Sequence, residues 1–115
     1  MSGASSRRKG NVWEQALCRL FVEHGWRAIT SRNARGGAQM GADIITDLPV
    51  VCEAKNQARM DLSGWLDQAV VQAPGDLAAV FVKRRQKPAE QAYVVMQADQ
   101  FLELCAMTER AADAA

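Results

Sequence analysis

The sequence predicts an α/β domain whose elements follow the order α-β-β-β-α-β-β-α. Apolar residues recur at helical spacing in three segments. Between these segments lie short alternating or continuous apolar runs, which are bounded by glycine, proline or basic turns and are typical of strands. The 115 residues fit one domain, and no internal repeat or linker divides them.

The three helices are predicted from their apolar faces and their end signals. The first begins near Asn11, an acceptable N-cap, and ends at Gly25. Its apolar face comprises Val12, Trp13, Ala16, Leu17, Leu20 and Phe21. The second and third helices are predicted over 62–72 and 98–111. Residues 1–10 are small, polar and basic, so we expect a flexible basic arm there, followed by a single domain over 11–115.

Five strands are predicted in the remaining apolar runs. They cover residues 26–31, 42–46, 50–55, 77–82 and 91–96. Only Asp47, Leu48 and Pro49 separate the second from the third, which is short enough for a hairpin. A glycine-rich loop with two arginines, Arg32–Gly41, precedes this hairpin, and a basic turn, Lys83–Pro88, links the last two strands.

Charge and composition narrow the function classes. Residues 1–35 carry seven basic and two acidic side chains, whereas the remainder carries seven basic and eleven acidic ones. This asymmetry suits a polyanion partner. No apolar run approaches the roughly 20 residues of a membrane helix, and the N-terminus does not resemble a signal peptide. Cys18, Cys52 and Cys105 are expected to be small buried residues, and His24 to have a helix-end or surface role.

The hairpin carries the candidate chemistry. If its turn is centred on Leu48, Asp43 lies opposite Glu53, and Lys55 shares the face of Glu53. Two carboxylates directly across a hairpin repel one another, so fold stability alone does not explain them. A magnesium ion would explain the carboxylate pair, since it binds through one or two carboxylates plus a substrate phosphate. The alternative is a surface Glu–Lys pair beside a turn-proximal Asp.

Glu14 is a further candidate, because it lies at the edge of the apolar face of the first helix. From that edge its carboxylate would point toward the sheet. The alternative is an exposed carboxylate that favours the helix dipole.

The segment GADIITDLPVVCEAK, residues 41–55, resembles the PD-(D/E)XK nuclease signature. Asp43 matches its first acidic position, and Glu53 and Lys55 match its Glu-X-Lys. The upstream RKGNVWEQALCRLFVEHGW and the loop SRNARGGAQMGAD resemble the archaeal and phage Holliday junction resolvase branch. The resemblance spans about residues 8–105, and the order of elements agrees. One departure is Ala42, where the name-giving motif has proline.

This resemblance implies a restriction-endonuclease-like core, that is, a mixed central sheet flanked by helices. It also implies a homodimeric, magnesium-dependent endonuclease acting on four-way DNA junctions, in which manganese substitutes for magnesium. The expected location is the cytoplasm of a prokaryotic or phage-infected cell. The catalytic residues would be Glu14, Asp43, Glu53, Lys55 and Gln57. The metal would be held by Asp43, Glu53 and the carbonyl of Ala54, with Glu14 near the metal or its waters.

Other residues are weighed as DNA contacts. Phosphate contacts are expected from Arg7, Arg8, Lys9, Arg32 and Arg35. Gln57 and Gln68 could touch a water or the substrate, or could be ordinary polar surface residues. Trp13, Trp26 and Trp65 are expected in the core or at subunit contacts rather than as stacking platforms.

Two rival functions remain open at this point. One is a restriction-type or repair-type nuclease acting on duplex or flap DNA. The other is a DNA-binding module of the same fold that has lost catalysis. Retention of all four charged positions of the motif speaks against the second.

Overall fold

The structure, a computed structural model, describes residues 3–33 and 42–114, and its helices and strands follow the predicted order. The helices are α1 (Gly3–Glu23), α2 (Leu62–Gln72) and α3 (Ala98–Ala114). The strands are β1 (Ala28–Thr30), β2 (Ile44–Thr46), β3 (Val51–Lys55), β4 (Ala78–Val82) and β5 (Tyr93–Val95). Two short 3-10 turns, Ser31–Asn33 and Ala89–Gln91, complete the secondary structure.

The N-terminal boundary of α1 was wrong in the sequence prediction. The helix begins at Gly3 rather than near Asn11, so residues 3–10, expected in a flexible arm, are helical. The segment shows no apolar periodicity from which a helix could be predicted, because the helix does not bury Arg7, Arg8 or Lys9. Once the buried turns that follow have nucleated the helix, good helix formers such as arginine and lysine extend it without burial.

The C-terminal end of α1 is formed as predicted, at Gly25. Gly25 has a φ of +91°, a left-handed conformation that glycine adopts without strain. The Gly25 N–H donates to the Val22 carbonyl at 3.0 Å, and the Trp26 N–H donates to the Phe21 carbonyl at 3.0 Å. These two bonds form a Schellman motif, which satisfies carbonyls at the helix end and turns the chain toward β1.

The five strands form one mixed sheet in the order β1-β2-β3-β4-β5. Neighbouring strands are antiparallel except β3 and β4, which are parallel and are joined through α2. In the parallel pair Val51 lies beside Ala78 and Lys55 beside Val82, so both strands end at the same edge of the sheet. The loops that follow β3 and β4 therefore leave the sheet side by side.

The two faces of the sheet are covered by different helices. On one face α1 packs Trp13, Leu17 and Phe21 against Ile44 and Cys52. On the other face α2 packs against β4 through a cluster of Trp65, Ala69, Ala73, Ala78, Val80 and Val82. Alternation along β3 serves both layers, since Cys52 lies under α1 whereas Val51 packs against the α2 cluster.

Helix α3 contributes less to the core than its apolar sequence suggests. It has no buried residue, and Phe101 and Leu102 are exposed. Cys105 is exposed too, so its expected burial was wrong, whereas Cys18 and Cys52 are buried. The described link between α3 and the sheet is polar, because the Ala78 N–H donates to Gln100 Oε1 at 2.9 Å.

Among the core side chains, we expect Trp13 to contribute most to the stability of the fold. It is 2% exposed, and its Nε1–H donates to the Phe81 carbonyl at 3.1 Å. Trp13→Phe removes that donor and opens space in the core. It should lower the free energy of unfolding by about 1–3 kcal/mol in urea denaturation.

Trp26→Phe is the matched control, because Trp26 is 39% exposed. It should change the free energy of unfolding by no more than about 0.5 kcal/mol. Equal destabilisation by the two substitutions would contradict the role given to Trp13.

Candidate active site

The register of the β2–β3 hairpin places the two predicted carboxylates together. Ile44 pairs with Cys52, and the Asp43 N–H donates to the Cys52 carbonyl at 3.2 Å. This register confirms a turn centred on Leu48. Asp43 directly precedes β2, close enough to Glu53 for its charge to act on that carboxyl. Because Cys52 lies under α1, the next residue of β3, Glu53, belongs to the opposite face of the sheet.

Asp43 is held by the backbone of the neighbouring strand. The Ala54 N–H donates to Asp43 Oδ2 at 2.9 Å, and the Ser31 N–H donates to the Asp43 carbonyl at 2.9 Å. The carboxylate is therefore fixed between β1 and β3 before any ligand binds.

Of the two carboxyl groups, that of Glu53 has the less favourable electrostatic environment. Its side chain is half-buried, and within the described residues its Oε1 atom is buried without a hydrogen-bond partner. Burial, followed by the charge of Asp43, raises the pKa of Glu53 to about 8, against a smaller lowering effect of Lys55. A buried oxygen without a partner beside a second carboxylate has the chemistry of a cation ligand.

Lys55 shares the face of Glu53 on β3, and it lines an open cavity. Its Nζ lies 6.0 Å from the centroid of the Trp65 ring, at the outer limit of a cation–π contact. Trp65 is itself buried in the α2 cluster. The ammonium group of Lys55 is thus positioned by β3 and by Trp65 of α2. It places a positive charge next to the carboxyl groups of Asp43 and Glu53.

Glu14 approaches the site from α1, and its partner is Arg32. Arg32 Nη2 lies 2.6 Å from Glu14 Oε1, and the Glu14 side chain is 12% exposed. Burial raises the pKa of Glu14, as does the charge of Asp43, whereas the hydrogen bond from Arg32 lowers it. Arg32, which was expected to contact phosphate, is therefore bound to a predicted site residue in this structure.

An open cavity of about 480 Å³ is bordered by Glu14, Asp43 and Lys55. Its lining residues are Lys9, Gly10, Glu14, Asp43, Ala54, Lys55, Asn56, Gln57, Ala58 and Arg59. Glu14, Asp43, Ala54, Lys55 and Gln57 were all predicted for the site, and Lys9 was predicted only as a contact in the arm. Sequence reasoning missed Asn56, Ala58 and Arg59, although their position directly after Lys55 at a strand end was a usable signal.

The structure does not bring every predicted residue to this cavity. Glu53, half-buried beside Asp43, does not line it, and neither does Arg32. Gln68 is exposed on α2, and Arg7 and Arg8 are exposed on the early turns of α1; none of the three lines the cavity. Arg35 lies outside the described residues. These assignments stay predictions.

The donor set available for a metal ion is small. Over residues 3–33 and 42–114, no group of three or more His, Cys, Asp and Glu side chains is arranged to hold a metal ion. Glu14 could join Asp43 and Glu53 only by sharing or releasing its contact with Arg32. The remaining candidates are the two hairpin carboxylates and the predicted Ala54 carbonyl, which match the few protein ligands that magnesium uses.

Comparisons with protein-family models, with curated proteins and with solved structures find no match to this chain. Among the described helices, none combines the length and the apolar character needed to cross a membrane.

The raised pKa of Glu53 leads to a prediction about stability and pH. The folded protein holds this proton more tightly than the unfolded chain, so the stabilisation is complete below about pH 4.5 and is lost as the pH rises through about 8. Across this window the metal-free protein should lose on the order of 1–2 kcal/mol at Glu53, since solvent screens a half-buried group. Urea denaturation in chelator, at pH values below, within and above the window, measures the loss.

Glu53→Gln should reduce this pH dependence, because the amide stays neutral. Glu23→Gln is the control, because Glu23 is exposed at the end of α1, and it should keep the wild-type slope. A wild-type slope in Glu53→Gln would show that the Glu53 proton does not contribute.

Proposed function

We propose that the protein is a metal-dependent endonuclease of the PD-(D/E)XK type that cuts structured DNA, four-way junctions above all. The observation that carries this proposal is the Asp43–Glu53 carboxylate pair beside Lys55, with Asp43 and Lys55 lining an open cavity. The mixed sheet, with three antiparallel strands followed by a parallel β4, is compatible with a restriction-endonuclease-like core. The proposed assembly is a homodimer, as the sequence resemblance implies.

The residues present fit a hard divalent cation. The unpartnered Glu53 Oε1 and the adjacent Asp43 carboxylate offer negative oxygen ligands, which suit magnesium and manganese. When bound, such an ion would neutralise the carboxylates, polarise a phosphate and lower the pKa of a bound water.

Residues of the chain itself would position the carboxylate, orient the attacking water and offset the charge on the phosphate. The Ala54 N–H fixes the Asp43 carboxylate, so little reorganisation would accompany ligand binding. Lys55 would orient the attacking water and offset the negative charge that develops on the phosphate. Gln57, exposed on the loop after β3, lies where it could hold a water or a phosphate oxygen.

Glu14 and Arg32 would act as a pair in this proposal. In the protein without DNA, Arg32 neutralises Glu14. A phosphate in the cavity would compete for the guanidinium, because arginine binds phosphate through the same forked hydrogen bonds. The released Glu14 carboxylate would then face the cation site, where the resemblance places it.

The first test of the proposal is metal-dependent cleavage. Asp43→Asn and Glu53→Gln each remove a negative ligand with little change of shape, and each should reduce cleavage of a four-way junction by on the order of 1000-fold. Lys55→Ala should lose cleavage to a similar extent but retain DNA binding. Product formation with magnesium, with manganese and with chelator measures these effects.

Asp67→Asn is the matched control, because Asp67 is exposed on α2 and does not line the cavity. It should cut at the wild-type rate. Full activity in Asp43→Asn or Glu53→Gln would exclude the assignment. Binding without any cleavage by the wild-type protein would favour the non-catalytic module.

Selectivity for branched DNA should come from a dimer. Two copies with matched sites would engage both symmetric strands of a junction, so a four-way junction should bind on the order of 100-fold more tightly than a duplex of the same arm length. Gel-shift competition in chelator measures this ratio, and sedimentation reports the oligomeric state. A monomer with equal affinity for both DNAs would leave only the duplex-type or flap-type nuclease.

A further inference from the structure

A second cavity opens beside the candidate active site, between the loops that follow β3 and β4. Its volume is about 310 Å³, and it is lined by Lys9, Asn56, Gln57, Ala58, Met60, Lys83, Arg84, Arg85 and Gln86. The parallel pairing brings these loops together, and the Lys83 N–H donates to the Lys55 carbonyl at 2.9 Å. This basic groove is therefore built on the strand that carries Glu53 and Lys55.

The groove is positively charged and contains no acidic lining residue. In the part of the chain that the structure describes, the ion pairs are Arg32–Glu14 and Arg110–Glu103. None of the four groove cations, Lys9, Lys83, Arg84 and Arg85, thus has a carboxylate partner among those residues. Like charges collected in a concave site repel one another and attract a polyanion.

The basic turn that forms one wall is held in place by its own side chains. Lys83 Nζ donates to the Arg84 carbonyl at 3.0 Å and to the Lys87 carbonyl at 2.6 Å, and it lies 5.7 Å from the centroid of the Trp13 ring. Arg84 donates through Nη1 to the Gln91 carbonyl at 3.2 Å, and its guanidinium lies over Tyr93 at 5.0 Å.

These contacts separate the cations that build the turn from those that can meet a ligand. Lys83 and Arg84 are engaged by the protein, whereas Lys9 and Arg85 are exposed. A site whose backbone is already ordered loses less conformational entropy when it binds.

The groove is continuous with the candidate active site. The two cavities share Lys9, Asn56, Gln57 and Ala58 as lining residues. An extended anion that occupies both would run from Asp43 and Lys55 to Arg85. A lone phosphate would fill only part of that length, and a nucleic acid backbone would fill all of it.

We propose that the basic groove binds the phosphodiester backbone of the DNA strand next to the scissile phosphate, with Lys9 and Arg85 as its phosphate contacts. The proposal rests on the proposed function for the identity of the anion as DNA. It adds a strand path that leaves the carboxylates on the β4 side of β3, whereas Arg32 contacts Glu14 from the 3-10 turn after β1. These contacts fix the position of the strand and carry no sequence preference.

The test measures DNA binding in chelator, so that it is independent of catalysis. The affinity of the full chain for a labelled junction is titrated over a series of sodium chloride concentrations. Lys9→Gln combined with Arg85→Gln should reduce the slope of log affinity against log salt by about 1.8 for each protomer bound, that is, about 0.9 for each lost phosphate contact and about 3.6 for a bound homodimer. At moderate salt the affinity should fall about tenfold or more.

Arg19→Gln combined with Arg27→Gln is the matched control. It removes the same charge from exposed positions that line neither cavity, and it should leave the slope within about 0.3 of the wild-type value. Thermal unfolding of both double variants verifies that they fold. An unchanged slope in the groove variant, or an equal reduction in the control, would overturn the proposal.

The outcomes distinguish this proposal from the nuclease assignment. Cleavage of DNA by a wild-type protein whose groove variant binds like the control would overturn the groove and keep the nuclease. A reduced slope in the groove variant, with no metal-dependent cleavage by the wild type, would support the groove and overturn the nuclease.

Discussion

The register of the β2–β3 hairpin is the constraint on which the rest of the structure depends. Pairing of Ile44 with Cys52 sends both of these side chains under α1, sends Glu53 to the other face and brings Asp43, just before β2, next to it. A slip of one residue would exchange the faces of one strand and bury Glu53 against Trp13 and Leu17. The apolar core of α1 therefore selects the register, and the register brings the two carboxylates together.

The site is held in an electrostatically unfavourable state by that core. Burial and the charge of Asp43 raise the pKa of Glu53, and the structure offsets this only in part, through the Ala54 N–H on Asp43 and the charge of Lys55. A domain of this size tolerates such a cost where the site has a function. A cation bound to both carboxylates, as proposed, would remove the repulsion, and the free energy recovered in this way would strengthen its binding.

Sequence patterns predicted most of the fold because the elements follow from local periodicity. The turn centred on Leu48 could be predicted from the alternation of apolar residues alone, and the second helix, Leu62–Gln72, from its apolar face and its end signals. The start of α1 at Gly3 was missed because exposed turns leave no hydrophobic pattern. The contact of Arg32 with Glu14 was also beyond sequence reasoning, since 18 positions separate the two residues and only the packing of α1 on the sheet brings them together.

The relation of the basic turn Lys83–Pro88 to the candidate site also could not be predicted from the sequence. In the sequence this turn is a charge run between two strands, 28 positions after Lys55, and such runs are usually solvated turns. What changes its meaning is the parallel pairing of β3 with β4, which sets Val82 beside Lys55. In an antiparallel arrangement the same turn would lie at the opposite edge of the sheet from the carboxylates. The chain therefore gains a basic wall for the candidate site from strand direction, which is a property of topology rather than of any motif.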